Sequence, residues 1–302
     1  MPNWSEVLNE IRNLDAKLIS QSAPDQVRRK YLKNLFEKTG RNTVAYYSGW
    51  LSKPNIEGIH INDEDKNGFM MAVHELDRSV GLDLILHTPG GELHATESII
   101  HYLHQMFNDD IRVIVPQIAM SGGTLIACSS KQILMGAHSN LGPIDPQLRG
   151  VPAYGVIEEF RTAAAQIKED PSKVHVWNPI LSKYHPTFLS QCKNAIEHSS
   201  EVAQNYLERV MFKGVADRRK IAEKIVKGLT DYSGNKSHAR HIHIDECKAL
   251  GLKVSEFESD QELQELVLTV HHAFIHTLMN TPSVKIIENH LGRALIKTFV
   301  SG

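Results

Sequence analysis

A chain of 302 residues with 41% hydrophobic and 23% charged content can bury one large core, alone or with appended helices. Lysine and arginine number 33 against 35 for aspartate and glutamate, a formal charge of −2, which gives no electrostatic ground for expecting nucleic acid or an anionic membrane as the main partner. The apolar runs, Ile111 to Met120 among them, fall far short of the roughly 20 residues a membrane-spanning helix needs, so no membrane span is predicted.

The opening MPNWSEVLNEIRNLDAKL lacks the basic start and apolar core of a secretion signal. It reads as an amphipathic helix, with Trp4, Val7, Leu8, Ile11 and Leu14 on one side. Residues 1–40 are predicted helical, and YLKNLFEKTG ends on Gly40, which suits a helix C-terminus. NTVAYYSGWL, Asn42 to Leu51, is β-branched and aromatic and predicts a strand. A polar loop follows, and then FMMAVHEL at helical spacing. GLDLILHTPGGE is a buried strand running into Pro89-Gly90-Gly91, followed by the helical HATESIIHYLHQM. IRVIVPQ is the next strand; it leads into AMSGGTLIACSS, a turn and a small apolar helix, and then into the short strand KQILMG. Strands alternating with helices predict a mostly parallel sheet in an α/β domain.

From about Val156 to Gly228 the chain reads as helices punctuated by Pro171, Pro179 and Pro186. KSHARHIHIDECKALGLKV predicts a strand and a helix closed by Gly251. The final fifty residues read as two amphipathic helices separated by Thr281-Pro282. Cys128, Cys192 and Cys247 are isolated in the sequence and read as reduced thiols of a cytoplasmic protein.

Both glycine pairs follow strands, so both loops belong at the sheet edge where α/β proteins bind ligands. At Ser121 a strand turns into a helix, and the local pattern supports two readings. One is a turn and helix N-cap. The other is an exposed nucleophile, with glycines behind it that allow a substrate close approach and a free Gly122 N–H at the helix start. Gly90-Gly91 would add a second N–H, and two such donors make an oxyanion hole. The G-x-S-x-G pattern of the α/β-hydrolases is absent, since Ala119-Met120 precede the serine.

HTPGGELHATESI, followed by IVPQIAMSGGTLIACSSKQILMGAHSNLGPIDPQL, resembles the Clp-type and signal-peptide-peptidase-type serine peptidases of the crotonase-like superfamily. Closest is the soluble branch called the serine dehydrogenase proteinase family. The similarity covers about residues 42–150 and continues loosely through HIDECKALGLKV. It implies an α/β Clp/crotonase-like core with a mostly parallel sheet, N-terminal helices and a helical C-terminal extension. The corresponding segments are 1–41, a core of 42–255 that includes the helical region 156–228, and C-terminal helices over 256–302. The resemblance makes Ser121 the nucleophile, with Gly122 and either Gly90 or Gly91 as oxyanion donors. It implies a peptide or protein substrate and a homo-oligomer, and it calls for no cofactor and no metal.

A Clp-type enzyme would carry its histidine near PIDP, where this chain has Asp145. His138 is close in sequence but reads as a loop residue. Signal-peptide-peptidase relatives use a lysine from the following helical region, which makes Lys168, Lys173 and Lys183 the candidates. A lysine base needs burial to lower its pKa. Lys183, in WNPILSKYHPTFL, is preferred for its apolar and aromatic neighbours, whereas IKEDPSKV looks solvated. The expectation is a serine peptidase with a Ser121–Lys183 dyad and an acyl-enzyme. The alternatives are a non-catalytic assembly or peptide-binding scaffold of the same fold, and a crotonase-type acyl-thioester enzyme.

Among the other clusters, His238, His241, His243 and Cys247 invite a metal but lack paired-ligand spacing, and read as polar strand positions. His271, His272 and His276 read as the polar side of a helix whose apolar positions Leu266, Val270, Phe274 and Leu278 pack on the core or on an oligomer partner. Asp63-Glu64-Asp65 and Glu158-Glu159 read as solvated charges.

Overall fold

The computed structural model describes residues 4–16, 22–148, 150–230 and 240–299. Two helices, α1 (Trp4–Asp15) and α2 (Ala23–Thr39), lead into strand β1 (Asn42–Ser48). Helix α3 (Asp65–Val73) connects β1 to β2 (Leu82–His87), and α4 (Leu93–Phe107) connects β2 to β3 (Ile111–Val115). The short β4 (Ile118–Ala119) and helix α5 (Gly122–Cys128) precede β5 (Gln132–Met135) and β6 (Asn140–Leu141). A small hairpin, β7 (Gln147–Leu148) and β8 (Val151–Pro152), opens the helical arm of α6 (Ala153–Glu169), α7 (Val174–Leu181), α8 (Phe188–Tyr206) and α9 (Arg218–Thr230). The chain closes with β9 (Ile242–His243), α10 (Ile244–Leu250), β10 (Val254–Glu256), α11 (Gln261–Asn280), β11 (Ser283–Asn289) and β12 (Ala294–Thr298).

The main sheet has seven strands in the order β10-β5-β3-β2-β1-β11-β12. The first five pair in parallel, and β11 and β12 add to β1 as an antiparallel hairpin. Every residue of β1 and β2 is buried, as expected of strands covered on both faces. Leu84, Leu86, Val113 and Val115 pack towards Ile99 and Leu103 of α4 and Leu125 and Ile126 of α5. Ala45, Tyr47, Ile85 and Ile114 face Leu32 and Leu35 of α2 and Val270, Phe274 and Leu278 of α11. Each such aliphatic or aromatic side chain contributes about 1.5–3 kcal/mol of burial. The arm holds a small core of its own, built on Val156, Ile157, Phe188 and Cys192.

Two C-terminal expectations are corrected. KIIENHLGRALIKT is not a helix but the β11–β12 hairpin, with β11 paired to β1 over Val44–Asn289 to Ser48–Lys285. The C-terminal extension is therefore one helix plus two strands of the main sheet. In α11 the histidines do not form a polar side. His271 and His276 are buried, His271 Nδ1 pairs with the Tyr47 hydroxyl at 3.2 Å, and His276 Nε2 meets the Trp4 carbonyl at 2.9 Å. The apolar positions of this helix meet the protein's own core.

Candidate active site

Each central strand turns at the sheet edge into a short segment of a second layer, and these segments place the two glycine loops side by side. Thr88 bridges Ala119, with the Met120 N–H donating to the Thr88 carbonyl at 3.0 Å. On the other side Ile61 bridges Gly91: the Ile61 N–H donates to the Gly90 carbonyl at 2.8 Å, and the Glu92 N–H donates to the Ile61 carbonyl at 2.9 Å. Ser121 follows this edge directly, at the N-cap of α5.

The fit between the loops requires glycine. A Cβ on Gly90 would stand 2.6 Å from the Met120 carbonyl oxygen, 2.8 Å from the Gly122 nitrogen and 2.8 Å from Ser121 Cβ. A Cβ on Gly91 would overlap the Ile61 main chain at 2.3 Å. The side of Gly122 is closed as well, with Thr96 Oγ1 at 2.7 Å and the Gly91 nitrogen at 3.4 Å from where a Cβ would sit. The Gly91 and Gly122 amides therefore flank one small space beside Ser121.

Ser121 has φ 49° and ψ −110°, outside the regions an L-residue ordinarily occupies. Such a conformation costs roughly 1–3 kcal/mol and persists only where its surroundings impose it. Here the Gly123 N–H to Met120 carbonyl bond, 2.7 Å, and the Leu125 N–H to Ser121 carbonyl bond, 3.0 Å, hold the turn from both ends. Ser121 is half-buried, and its hydroxyl has no hydrogen-bond partner among the described residues.

The Gly90 N–H donates to Thr88 Oγ1 at 3.1 Å. The Gly91 and Gly122 N–H groups carry no hydrogen bond among the described residues. Of the two glycines expected to supply the first donor, Gly91 is thus the one with a free amide. Gly91 is exposed and Gly122 buried, so the pair lines the mouth of the site.

The expected bases are not seated on Ser121. Lys183 and Lys168 are exposed and Lys173 half-buried, all on the α6–α7 part of the arm. The desolvation expected for Lys183 is corrected: Tyr184 turns its hydroxyl to Glu159 and stacks towards Phe188, leaving Lys183 in solvent. His138 is exposed and lies edge-on to Phe257, 5.9 Å between centroids. Asp145 is buried in the loop after β6.

Sequence reasoning missed three residues beside the glycine loops. Lys285 of β11 and Asp65 of α3 form a fully buried ion pair at 2.8 Å, and Asp65 also accepts from the Tyr46 hydroxyl at 2.8 Å. Asp65 is therefore not the solvated charge its acidic neighbours suggested. Lys285 Nζ also donates to the His60 carbonyl at 2.6 Å, which fixes the residue before Ile61. Burial lowers the Lys285 pKa, and Asp65 opposes that shift. His60 is exposed; partial desolvation first and the Lys285 charge second lower its pKa, and a hydrogen bond to the Gly90 backbone opposes that shift. No local sequence signal marks these groups, since Asp65 and Lys285 lie 220 positions apart.

Of the proposed metal cluster, His238 lies outside the described residues. His241 and His243 are exposed, whereas the Cys247 thiol is buried and contacts the Ile242 carbonyl at 3.8 Å, so the three do not converge on an ion.

A family model for the ClpP-like SDH-type serine proteinases matches residues 19–290. Two uncharacterized proteins of Methanocaldococcus jannaschii, MJ0137 and MJ1495, are 31% and 28% identical over 194 and 195 residues. The matches cover 64% and 65% of this chain and 60% and 59% of theirs, so the chain spans less than two thirds of either relative. No helix among the described residues is long and apolar enough to cross a membrane. With a mostly parallel α/β sheet, a strained serine at its edge and a match over most of its length, the chain belongs to the ClpP-like SDH-type serine proteinase family.

Proposed function

We propose that this chain is a serine peptidase acting through an acyl-enzyme. The observation that carries the reading is the strained Ser121 beside two amides, Gly91 and Gly122, that are supplied by separate loops and have no partner among the described residues. The Ser121 oxygen bonds to the substrate carbonyl carbon as a base takes its proton. The carbonyl oxygen becomes an oxyanion held by the two N–H groups. Collapse breaks the C–N bond, the amine leaves with the proton, and water then hydrolyses the ester. Each step uses protein groups and water alone.

Our reading of the base remains Lys183. It is exposed in the single chain, so the dyad forms when substrate or a second copy of the chain covers the arm and desolvates the amine. This ties the activity to a homo-oligomer. The three buried free thiols favour a reducing, cytoplasmic setting.

One observation favours a second base. The exposed His60 imidazole hydrogen-bonds the Gly90 backbone beside the site, and its pKa lies below the ordinary histidine value, which favours the neutral ring a base requires. Hydrolysis of an unstructured peptide across pH 5–10 separates the two. Loss of activity in Ser121→Ala and Lys183→Ala, with an alkaline-shifted profile, supports the dyad. An acid limb below about pH 6.5 that vanishes with His60→Ala, while Lys183→Ala stays active, assigns the base to His60. Undiminished hydrolysis by Ser121→Ala overturns the proposal.

A further inference from the structure

Helix α4 begins two residues after the Gly90-Gly91 loop, and its first turns carry His94 and Glu97 at a spacing that puts both on one face. His198 of α8 approaches that face from the arm. Its Nε2 lies 2.8 Å from a Glu97 carboxylate oxygen, and its ring lies 5.3 Å from that of His94, tilted by 35°. One ligand atom from each of the three residues can be chosen so that all lie within 4.8 Å of one another.

We propose that His94, Glu97 and His198 bind one divalent transition-metal ion, for which Zn²⁺ is the best match, and that the ion clamps the helical arm to the helix behind the oxyanion loop. Two imidazoles and one carboxylate form a donor set suited to Zn²⁺ and its first-row neighbours. Ca²⁺ and Mg²⁺ require mostly oxygen ligands, which this cluster does not supply. Around a tetrahedral zinc, with bonds of about 2.1 Å, donor atoms stand about 3.4 Å apart. Bringing the present spread of up to 4.8 Å to that separation takes ligand-atom movements of roughly 1 Å per residue. His94 is exposed and the other two are half-buried, so a bound ion keeps one side open to water.

The alternative is a plain ion pair between His198 and Glu97. That pair needs no third group, yet His94 stands beside it with a ring nitrogen within reach of the same ion. The ion's role follows from its place: α8 also packs against α5, the helix that Ser121 caps, so metal binding links the arm to both helices of the site. This inference does not depend on the peptidase reading.

The test uses the full chain, stripped with a chelator and titrated with Zn²⁺ in competition with a chromogenic chelator, and separately with Co²⁺ by visible absorption. The expected result is one ion per chain, a tetrahedral Co²⁺ spectrum and a Tm that rises with Zn²⁺. His94→Ala and His198→Ala should each weaken binding by roughly tenfold or more. His74→Ala, at the exposed end of α3, should leave it unchanged. Should His198→Ala fail to fold, His94→Asn decides the matter, because His94 is exposed. Less than one ion per chain, or a titration that His94 substitution does not alter, overturns the site.

Discussion

Replacing Gly90 with alanine forces a methyl group into the contact between the two glycine loops. The new carbon would stand 2.6 Å from the Met120 carbonyl oxygen and 2.8 Å from both the Gly122 nitrogen and Ser121 Cβ. Heavy atoms pack comfortably at about 3.5 Å, so the loops must part by roughly 0.7–0.9 Å. At φ 87° the alanine also costs about 1–2 kcal/mol in backbone conformation, and overpacking adds about 1–3 kcal/mol. The expected destabilisation by urea unfolding is therefore about 2–5 kcal/mol. The same opening moves the Gly91 and Gly122 amides apart, and a lost oxyanion donor lowers kcat by about 10²-fold or more. Gly40→Ala is the control: φ is 63° with nothing within 4 Å of a Cβ, so it pays only the backbone cost and keeps its activity. A Gly90→Ala protein as stable as Gly40→Ala and fully active would refute the docking of the loops.

Ser121→Gly should raise stability by about 1 kcal/mol over Ser121→Ala in urea melts, since glycine alone adopts φ 49° without strain; equal stabilities would mean the turn stores none. Lys285→Met should destabilise by about 3 kcal/mol, the low end for a broken buried pair, because Asp65 keeps only Lys297, at 3.6 Å, as a counter-charge, and Asp65→Leu in the same chain should restore much of it. A near-neutral Lys285→Met would show the pair is not buried in solution. His87 is fully buried, and burial lowers its pKa to about 3. Below pH 6.5 the unfolded chain binds a proton that the folded chain refuses, so stability falls with pH and is lost progressively down towards pH 3. From pH 7 to pH 5 the loss from this one residue is about 2 kcal/mol, and His87→Gln should lack it in paired urea melts. A wild-type curve that is flat over this range would contradict a buried neutral His87.

The parallel strands were legible because their burial on both faces leaves unbroken apolar runs, as in LDLILH and IRVIV. Ser121 was legible as a strand-to-helix turn because β-branched residues give way abruptly to Ser-Gly-Gly. The same burial hid the C-terminal hairpin. Ile286 and Ile287 are both buried, on opposite faces of a covered sheet, so β11 shows no period-two alternation and resembles a helix. Read as a helix, this segment gave no reason to seek a buried partner for Lys285, which in the sheet pairs with Asp65. His60, and the meeting of His94 and Glu97 with His198, arise from contacts between distant segments that no local pattern records. The base expected from resemblance, Lys183, depended on desolvation by aromatic neighbours, which pack with one another instead.

A serine peptidase of this design requires Ser121 to be a nucleophile. Incubating the full chain with a fluorophosphonate and mapping the adduct by peptide mass spectrometry tests it most directly. One adduct per chain is expected, on the peptide containing Ser121, with labelling abolished by Ser121→Ala and slowed by Gly90→Ala. Labelling at another serine, or a Ser121→Ala protein that labels as fast as the wild type, would contradict it.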